Sequence, residues 1–356
     1  MGEPDQAVLE SWRERIAAAV RGSVPLRLRG AGTKDFYGEQ LSGEILHLGS
    51  WRGIVDYEPS ELVISVRCGT PLSEVEAALA AHGQFLAFEP PGFGADPTIG
   101  GVIAAGLSGP RRLFAGAARD FVLGTKLLTA QGELLRFGGQ VMKNVAGFDV
   151  SRLLCGSLGI LGILTEVSLK VLPLPRVEET RRLELPAGEG VRAFNRWAAL
   201  PLPLSGAAWW QGSAWVRLSG APAAVHAARE QIGGDQVAAP DAERFWSALR
   251  HCQLPLFAAE SLWRLSLPQA AAPLDIPIEP LIDWGGALRW YANVPPDIDM
   301  RARAQAAQGT ALHWRGPTRA NRFPPLAPSI ASLHRRLKQR FDPAGIFNRG
   351  RLMAGL

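Results

Sequence analysis

The residues best equipped for chemistry fall into two sets, one of glycines and one of cations. Thr98-Ile99-Gly100-Gly101 opens a run of small residues, Val102 to Gly106, and Gly156-Ser157-Leu158-Gly159 with Gly162 repeats the device further along. A glycine has no Cβ, so a planar or anionic group can lie against the main chain and be held by amide N–H donors. Two such approaches point to one extended ligand lying across both. A third glycine segment, Arg29-Gly30-Ala31-Gly32-Thr33-Lys34, exposes consecutive amides between two cations and suits a pyrophosphate. It lacks the third glycine and the immediate helix of a Rossmann fingerprint, so that fold is rejected.

The cationic set comprises Arg111, Arg112 and Arg119, with Lys143 beside Asn144. Each could anchor a carboxylate. The competing reading pairs Arg119 with Asp120 locally and leaves Lys143 a structural contact. No base accompanies them by spacing, because the six histidines are scattered singly without an HxxH or HxxxH pair. A self-contained metal centre is therefore not expected. Cys68, Cys155 and Cys252 lie far apart and lack CxxC spacing, which argues against a disulfide framework and against an all-cysteine iron–sulfur or zinc site.

The elements that must position these groups can be read from periodicity and breakers. Residues 5 to 21 form an amphipathic helix with Val8, Trp12, Ile16 and Ala19 on one face. Val24 to Leu28 is a short strand that runs into the first glycine segment. Glu44 to Leu48 and Leu62 to Val66 alternate like strands, separated by Gly53 to Pro59. A helix starts near Pro71, where proline suits the first turn, and stops at His82-Gly83. Strand-like runs follow at FVLGTKLLTA, GELLRFGG and Ile163 to Val171.

At 356 residues, two domains are the default. No apolar run reaches the ~18 to 20 residues of a membrane span, and the acidic, amphipathic first residues do not read as a signal peptide. The expected location is the cytoplasm, with at most peripheral attachment to the inner membrane through a complex. Net charge is +5, but the basic residues are dispersed, so nucleic acid is not an expected partner. Nine of the eleven tryptophans lie beyond residue 176, which marks a change of character after Pro173 and Pro175. Trp209-Trp210, Trp284 and Trp290 read as core packing rather than a substrate cage.

Several blocks carry a resemblance. The RGAGT loop, ELVISVRCG before a helix, the two prolines Pro90-Pro91 six residues ahead of TIGG, KNVAGFD and GSLGILGILT resemble the FAD-binding domain of the vanillyl-alcohol oxidase (PCMH-type) flavoproteins. EPP before TIGG, SGPRR, RDFVLGTKLLTAQGELLRFGG, VMKNVAGFDVSRL, LIDWGGALRW and FDPAGIFNRGRL resemble, within that superfamily, the FAD-binding subunit of bacterial glycolate oxidase, over nearly the whole chain.

The resemblance implies an α+β architecture. Residues 1–175 would form the FAD domain, of two α+β subdomains; 176–340 would form an α+β cap, and 341–356 a tail returning to the FAD domain. It implies that FAD meets Arg29, Gly30, Ala31, Gly32, Thr33, Lys34, Pro91, Thr98, Ile99, Gly100, Gly101, Ser108, Gly109, Gly162, Ile163 and Asn348, with Ile163 towards the adenosine. Arg349 stands where the family's tail carries proline, which implies a less rigid turn there. Thr33, Lys34, Ala95 and Asp96 occupy positions where tethered relatives carry histidine or cysteine, which implies noncovalent FAD.

The implied activity is oxidation of a small 2-hydroxy acid, glycolate, within a complex that also holds a second FAD subunit and an iron–sulfur subunit. Related D-2-hydroxy-acid dehydrogenases carry paired cap histidines and a carboxylate, and His226, His251 and His313 supply no counterpart. That gap keeps open a second reading, in which the chain is a flavin-binding assembly or electron-relay subunit. The catalytic residues remain unassigned, with Arg111, Arg119 and Lys143 as the candidate anchors.

Overall fold

The computed structural model describes residues 3–139 and 149–356. Lys143 and Asn144 lie outside the described residues. The first helix, Glu3–Gly22, buries Leu9, Trp12, Ile16 and Ala19 against Leu26, Leu46 and Trp51. Beneath it Leu26–Arg29 pairs in parallel with Glu44–His47. Phe347 bridges to Leu26, so the tail forms a third edge of this small layer.

The main sheet of the first unit has five antiparallel strands, in the order Ile54–Glu58, Val63–Arg67, Ile163–Lys170, Val122–Leu128, Leu134–Gly138. Its strands Val63–Arg67 and Ile163–Lys170 are buried almost throughout, polar Ser65, Thr165 and Ser168 included. Helices Leu72–Ala80 and Ile99–Ala105 close one face over Ile64, Val66, Val75, Leu79, Ile103 and Val167. Ile54–Glu58 corrects the expectation of a plain connector between two strands. It is an edge strand with no buried residue, so no apolar alternation marked it.

From Val177 onward the chain builds one eight-stranded antiparallel sheet. Its order is Asp235–Gln236, Val177–Glu184, Ser213–Gly220, Leu204–Trp210, Leu281–Asp283, Leu288–Ala292, Leu262–Ser266, Thr310–Arg315. Helices Ala187–Ala198 and Pro222–Ile232 cover one part of it through Val191, Phe194, Trp197 and Val225. Trp246, Leu281, Trp284, Trp290 and Trp314 join Ala105 and Leu107 of the first unit in a shared core. The tryptophan-rich half thus sits directly on the glycine-rich half, and its tryptophans are packing residues. Together these layers make an α+β molecule, as the sequence implied.

A buried ion network ties the units. Glu89 accepts hydrogen bonds from the Arg111 amide at 2.7 Å, from its Nε at 3.2 Å and from Arg217 Nη2 at 2.9 Å. Arg111 Nη2 also reaches Glu178 Oε2 at 2.6 Å. The neighbouring Glu89 and Glu178 carboxylates more than offset the effect of burial and hold the Arg111 guanidinium above its usual range.

Candidate functional site: a glycine-lined cleft and an adjoining cap cavity

The cleft forms where three chain segments meet. Thr98 N-caps the helix Ile99–Ala105, its Oγ1 accepting from the Gly101 amide at 3.3 Å. Gly30 packs on that cap so closely that a Cβ there would come within 2.2 Å of Thr98 Oγ1. Gly100 is equally confined, because its Cβ would meet Cys68 carbonyl oxygen at 2.8 Å. Gly101 is different. A Cβ there would touch only Thr98 Oγ1, at 3.3 Å, so this residue turns its open side to the cleft. Gly32 sits at φ +77, in the left-handed region that favours glycine.

The resulting cleft has a cavity volume of about 120 Å³ and opens to solvent. Its far wall is Leu158, Gly159, Gly162 and Leu164. The two glycine approaches therefore line one cleft.

The tail completes the wall. Asn348 accepts from the Leu28 amide at 2.8 Å and donates to Leu158 carbonyl oxygen at 2.6 Å, linking two sides of the cleft. Lys338 is buried and donates to Asp342 Oδ2 and to the carbonyls of Ile160 and Phe347, each at 2.7 Å. Arg351 donates to the carbonyl of Lys34 at 2.7 Å.

Charge in the cleft is one-sided. Arg27, Arg29, Lys34 and Arg351 line it with Asp35 as their acidic neighbour, and Asp35 pairs with Arg29 at 2.8 Å. Burial pulls the Lys34 ammonium down to about 8. Burial, then the nearby Arg319, pulls Arg351 down to about 10. Cations depressed in this way gain from an anion brought among them. A diphosphate supplies that anion, and the amides of the 30–34 loop and the open side of Gly101 suit its approach.

Cys68 also lines the cleft, but burial foremost, with Glu166 nearby, pushes its thiol far up, so it stays protonated. A planar cofactor with two phosphates fits this set of groups.

Beyond the aromatic layer of Phe36, Tyr37, Phe93 and Trp314 lies a second, smaller cavity of about 30 Å³. Its floor is Pro91, Ser108 and Gly109 from the first unit; its roof includes Arg264, Asp283 and Trp290 from the cap sheet. Sheet register explains the roof. Arg264 and Leu281 both stand opposite Trp290, and Asp283 follows Leu281 by two residues, so all four share a face.

Asp283 is 3% exposed, and its Oδ1 accepts from the Trp284 amide at 2.6 Å. Burial outweighs that bond and pushes its carboxyl up to about 7. Arg264 lies over the Trp284 and Trp290 rings, 5.1 and 5.7 Å from their centroids. Among the described residues it makes no ion pair or hydrogen bond. Arg112 stands 4.2 Å over the same Trp284 ring, and after burial the Arg264 charge is the leading cause that lowers its guanidinium.

The sequence-derived residues thus separate into three groups. Arg29 to Lys34, Thr98, Gly100, Gly101, Gly162 and Asn348 line the cleft. Pro91, Ser108 and Gly109 line the cap cavity. The Ile99 and Ile163 side chains are fully buried in the cores behind the cleft, and at the second of these it is the neighbours Gly162 and Leu164 that face the space.

The candidate anchor Arg111 is not available for an anion, because Glu89 and Glu178 already occupy it. Arg119 is exposed, and its expected partner Asp120 instead caps the Ala117 amide at 2.9 Å and pairs with Arg152 at 3.5 Å. His251 accepts from the Gly92 amide at 3.0 Å, and His313 stacks on Trp263 at 4.5 Å, so both serve packing. Sequence reasoning missed Arg264 and Asp283. Their signal was a single charge inside each apolar strand, SLWRLS and LIDW.

A cationic, amide-lined cleft on an α+β unit, roofed by a broad antiparallel sheet, defines a flavoprotein with an FAD-binding domain. A family model described as "FAD binding domain" matches residues 9–138. Over 344 residues the chain is 46% identical to glycolate oxidase subunit GlcE of Escherichia coli (strain K12), which spans 96% of this chain and 97% of that protein. The chain belongs to the glycolate oxidase GlcE subunit family, and its cofactor is FAD.

Glycolate oxidase subunit GlcD of Bacillus subtilis (strain 168) is 34% identical over 44% of this chain and 34% of its own length. A D-lactate dehydrogenase of Anaerostipes hadrus is 30% identical over 49% of this chain and 37% of its own. A solved alkyldihydroxyacetonephosphate synthase superposes with a TM-score of 0.65 at 15% identity, covering 94% of this chain and 74% of that one; it shares the fold. Among the described residues no helix is long and apolar enough to cross a membrane.

Proposed function

We propose that this chain is the FAD-carrying subunit of a glycolate oxidase and takes part in converting glycolate to glyoxylate, with an electron acceptor other than NAD. The observation that carries this reading is the end-to-end similarity at 46% identity, which spans both the cleft and the cap above it. Bound FAD supplies the two-electron acceptor chemistry. The chain's own part is to hold the diphosphate with Arg27, Arg29, Lys34 and Arg351, to seat the cofactor against Gly101, and to exclude water with the cap. The binding is noncovalent in this reading, because Thr33, Lys34, Ala95 and Asp96 stand where a tethering histidine or cysteine would be needed. Residues 1–175 form the FAD unit, 176–340 the cap, and 341–356 the returning tail.

The partners in this reading are a second FAD subunit and an iron–sulfur subunit. No cysteine set in the sequence suits an iron–sulfur cluster, so onward electron transfer falls to another chain. The structural engagement of His251 and His313 favours a division of labour in which substrate turnover needs the assembled complex.

The test is to purify the chain alone and with its co-expressed partners, then add glycolate without oxygen and follow the flavin band. The chain should be yellow, acid should release intact FAD, and glycolate should bleach the complex. A colourless chain that cannot be reconstituted with FAD, or a fully loaded complex that glycolate leaves unbleached, would overturn the reading.

A further inference from the structure

The cap cavity holds a combination that packing alone does not require. Arg264 projects from the strand beside the sheet's edge towards apolar rings, and no carboxylate of the described residues lies within ion-pair distance of it. Arg112 adds a second cation over Trp284 from the opposite unit. A guanidinium placed this way costs desolvation without a compensating pair, unless an anion enters. Beside it stands Asp283, whose Oδ1 is occupied by the Trp284 amide and whose Oδ2 has no partner among the described residues. The cavity is small, about 30 Å³, and accepts only a small molecule. Pro91, Ser108 and Gly109 form its opposite wall, and the FAD cleft lies one aromatic layer away.

We propose that this cavity binds a small 2-hydroxy carboxylate, with the Arg264 guanidinium taking the carboxylate and Asp283 taking the hydroxyl group. Arg112 supports the site as a second positive charge near the anion. The assignment rests on the glycolate oxidase reading for the choice of substrate class, and its own content is the pair of residues. A planar fork of N–H donors matches a carboxylate in two parallel hydrogen bonds, which the compact ammonium of lysine does not reproduce. Asp283 gives the site a reason to prefer a hydroxy acid over the plain acid of the same size.

The experiment titrates the FAD-loaded chain with oxalate, glycolate and acetate, following the flavin spectrum and, independently, the heat of binding. The wild type should bind oxalate and glycolate saturably and favour glycolate over acetate. Arg264→Gln should weaken oxalate at least tenfold with FAD content unchanged, the scale expected for a lost charge-assisted pair. Asp283→Asn should leave oxalate binding in place and shrink the preference for glycolate over acetate towards one.

If Arg264→Gln does not fold, Arg264→Lys decides. It keeps the charge but not the fork, and a tenfold loss supports the assignment while wild-type binding overturns it. Wild-type oxalate affinity in folded Arg264→Gln also overturns it. An FAD-loaded chain that binds none of the three acids, in a complex that still oxidises glycolate, sinks the cavity assignment and spares the function. A chain that binds oxalate through Arg264, in a complex that glycolate does not bleach, does the reverse.

Discussion

Replacing Asp283 with asparagine should make the protein more stable at alkaline pH and much less so at acid pH. The carboxyl is raised from 3.8 to about 7, mainly by burial. The folded state therefore keeps its proton where the unfolded state has lost it. With more protons bound in the native state, wild-type stability falls as pH rises from about 4 to about 7 and levels off above. At about 1.4 kcal/mol per pH unit, the full gap amounts to about 4 kcal/mol, of which about 3 kcal/mol lies between about pH 5 and about pH 8.5.

Asparagine removes this dependence while its carbonyl oxygen can still accept from the Trp284 amide, now 2.6 Å from Asp283 Oδ1. Urea unfolding of both proteins, saturated with FAD, at those two pH values gives the double difference. Every other titrating group cancels between the variants. The expected gain for Asp283→Asn between the lower and the higher pH is about 2–3 kcal/mol. A double difference near zero would mean that Asp283 is ionised in the folded protein across this range, and the account of its burial would be wrong.

Gly101→Val should abolish FAD binding and leave the fold intact, since a Cβ there meets only Thr98 Oγ1 at 3.3 Å and its branches enter the cleft; flavin content and circular dichroism read this out. Asn348→Ala strands the Leu28 amide and the Leu158 carbonyl and should cost about 2–4 kcal/mol in urea unfolding, with weaker FAD retention. Arg111→Met leaves Glu89 and Glu178 without one of their cations and should cost about 3–5 kcal/mol. Glycolate-dependent bleaching per folded, FAD-loaded complex should stay at the wild-type level for Arg111→Met, because this residue joins the two units rather than holding substrate.

The cleft was legible in the sequence because its parts are local. A threonine that caps a helix, glycines that must lie against backbone, and a loop of exposed amides each announce themselves within a few residues. The cap cavity was not legible, because it is assembled by pairing. Arg264 and Asp283 become neighbours only when Leu262–Ser266 and Leu281–Asp283 flank Leu288–Ala292 in one register. The SGPRR segment misled for a related reason. Two adjacent arginines suggest a single anion site, yet Arg111 turns into a buried network with Glu89, a residue with φ +48 that no local pattern places there. Ile54–Glu58 escaped because an exposed edge strand has no hydrophobic face to display.

The parallel bridge between Leu26 and Phe347 sets an order on biosynthesis. The 30–34 loop is made well before the tail, but its strand has only Glu44–His47 beside it until residues near 348 have been made. Asn348 then joins Leu28 to Leu158, and Lys338 with Asp342 clamps the turn that carries it. A nascent chain stalled before this point would hold all the amides of the 30–34 loop and still lack one wall of the cleft. The cleft is accordingly whole only once the segment around Asn348 has docked on Leu28 and Leu158.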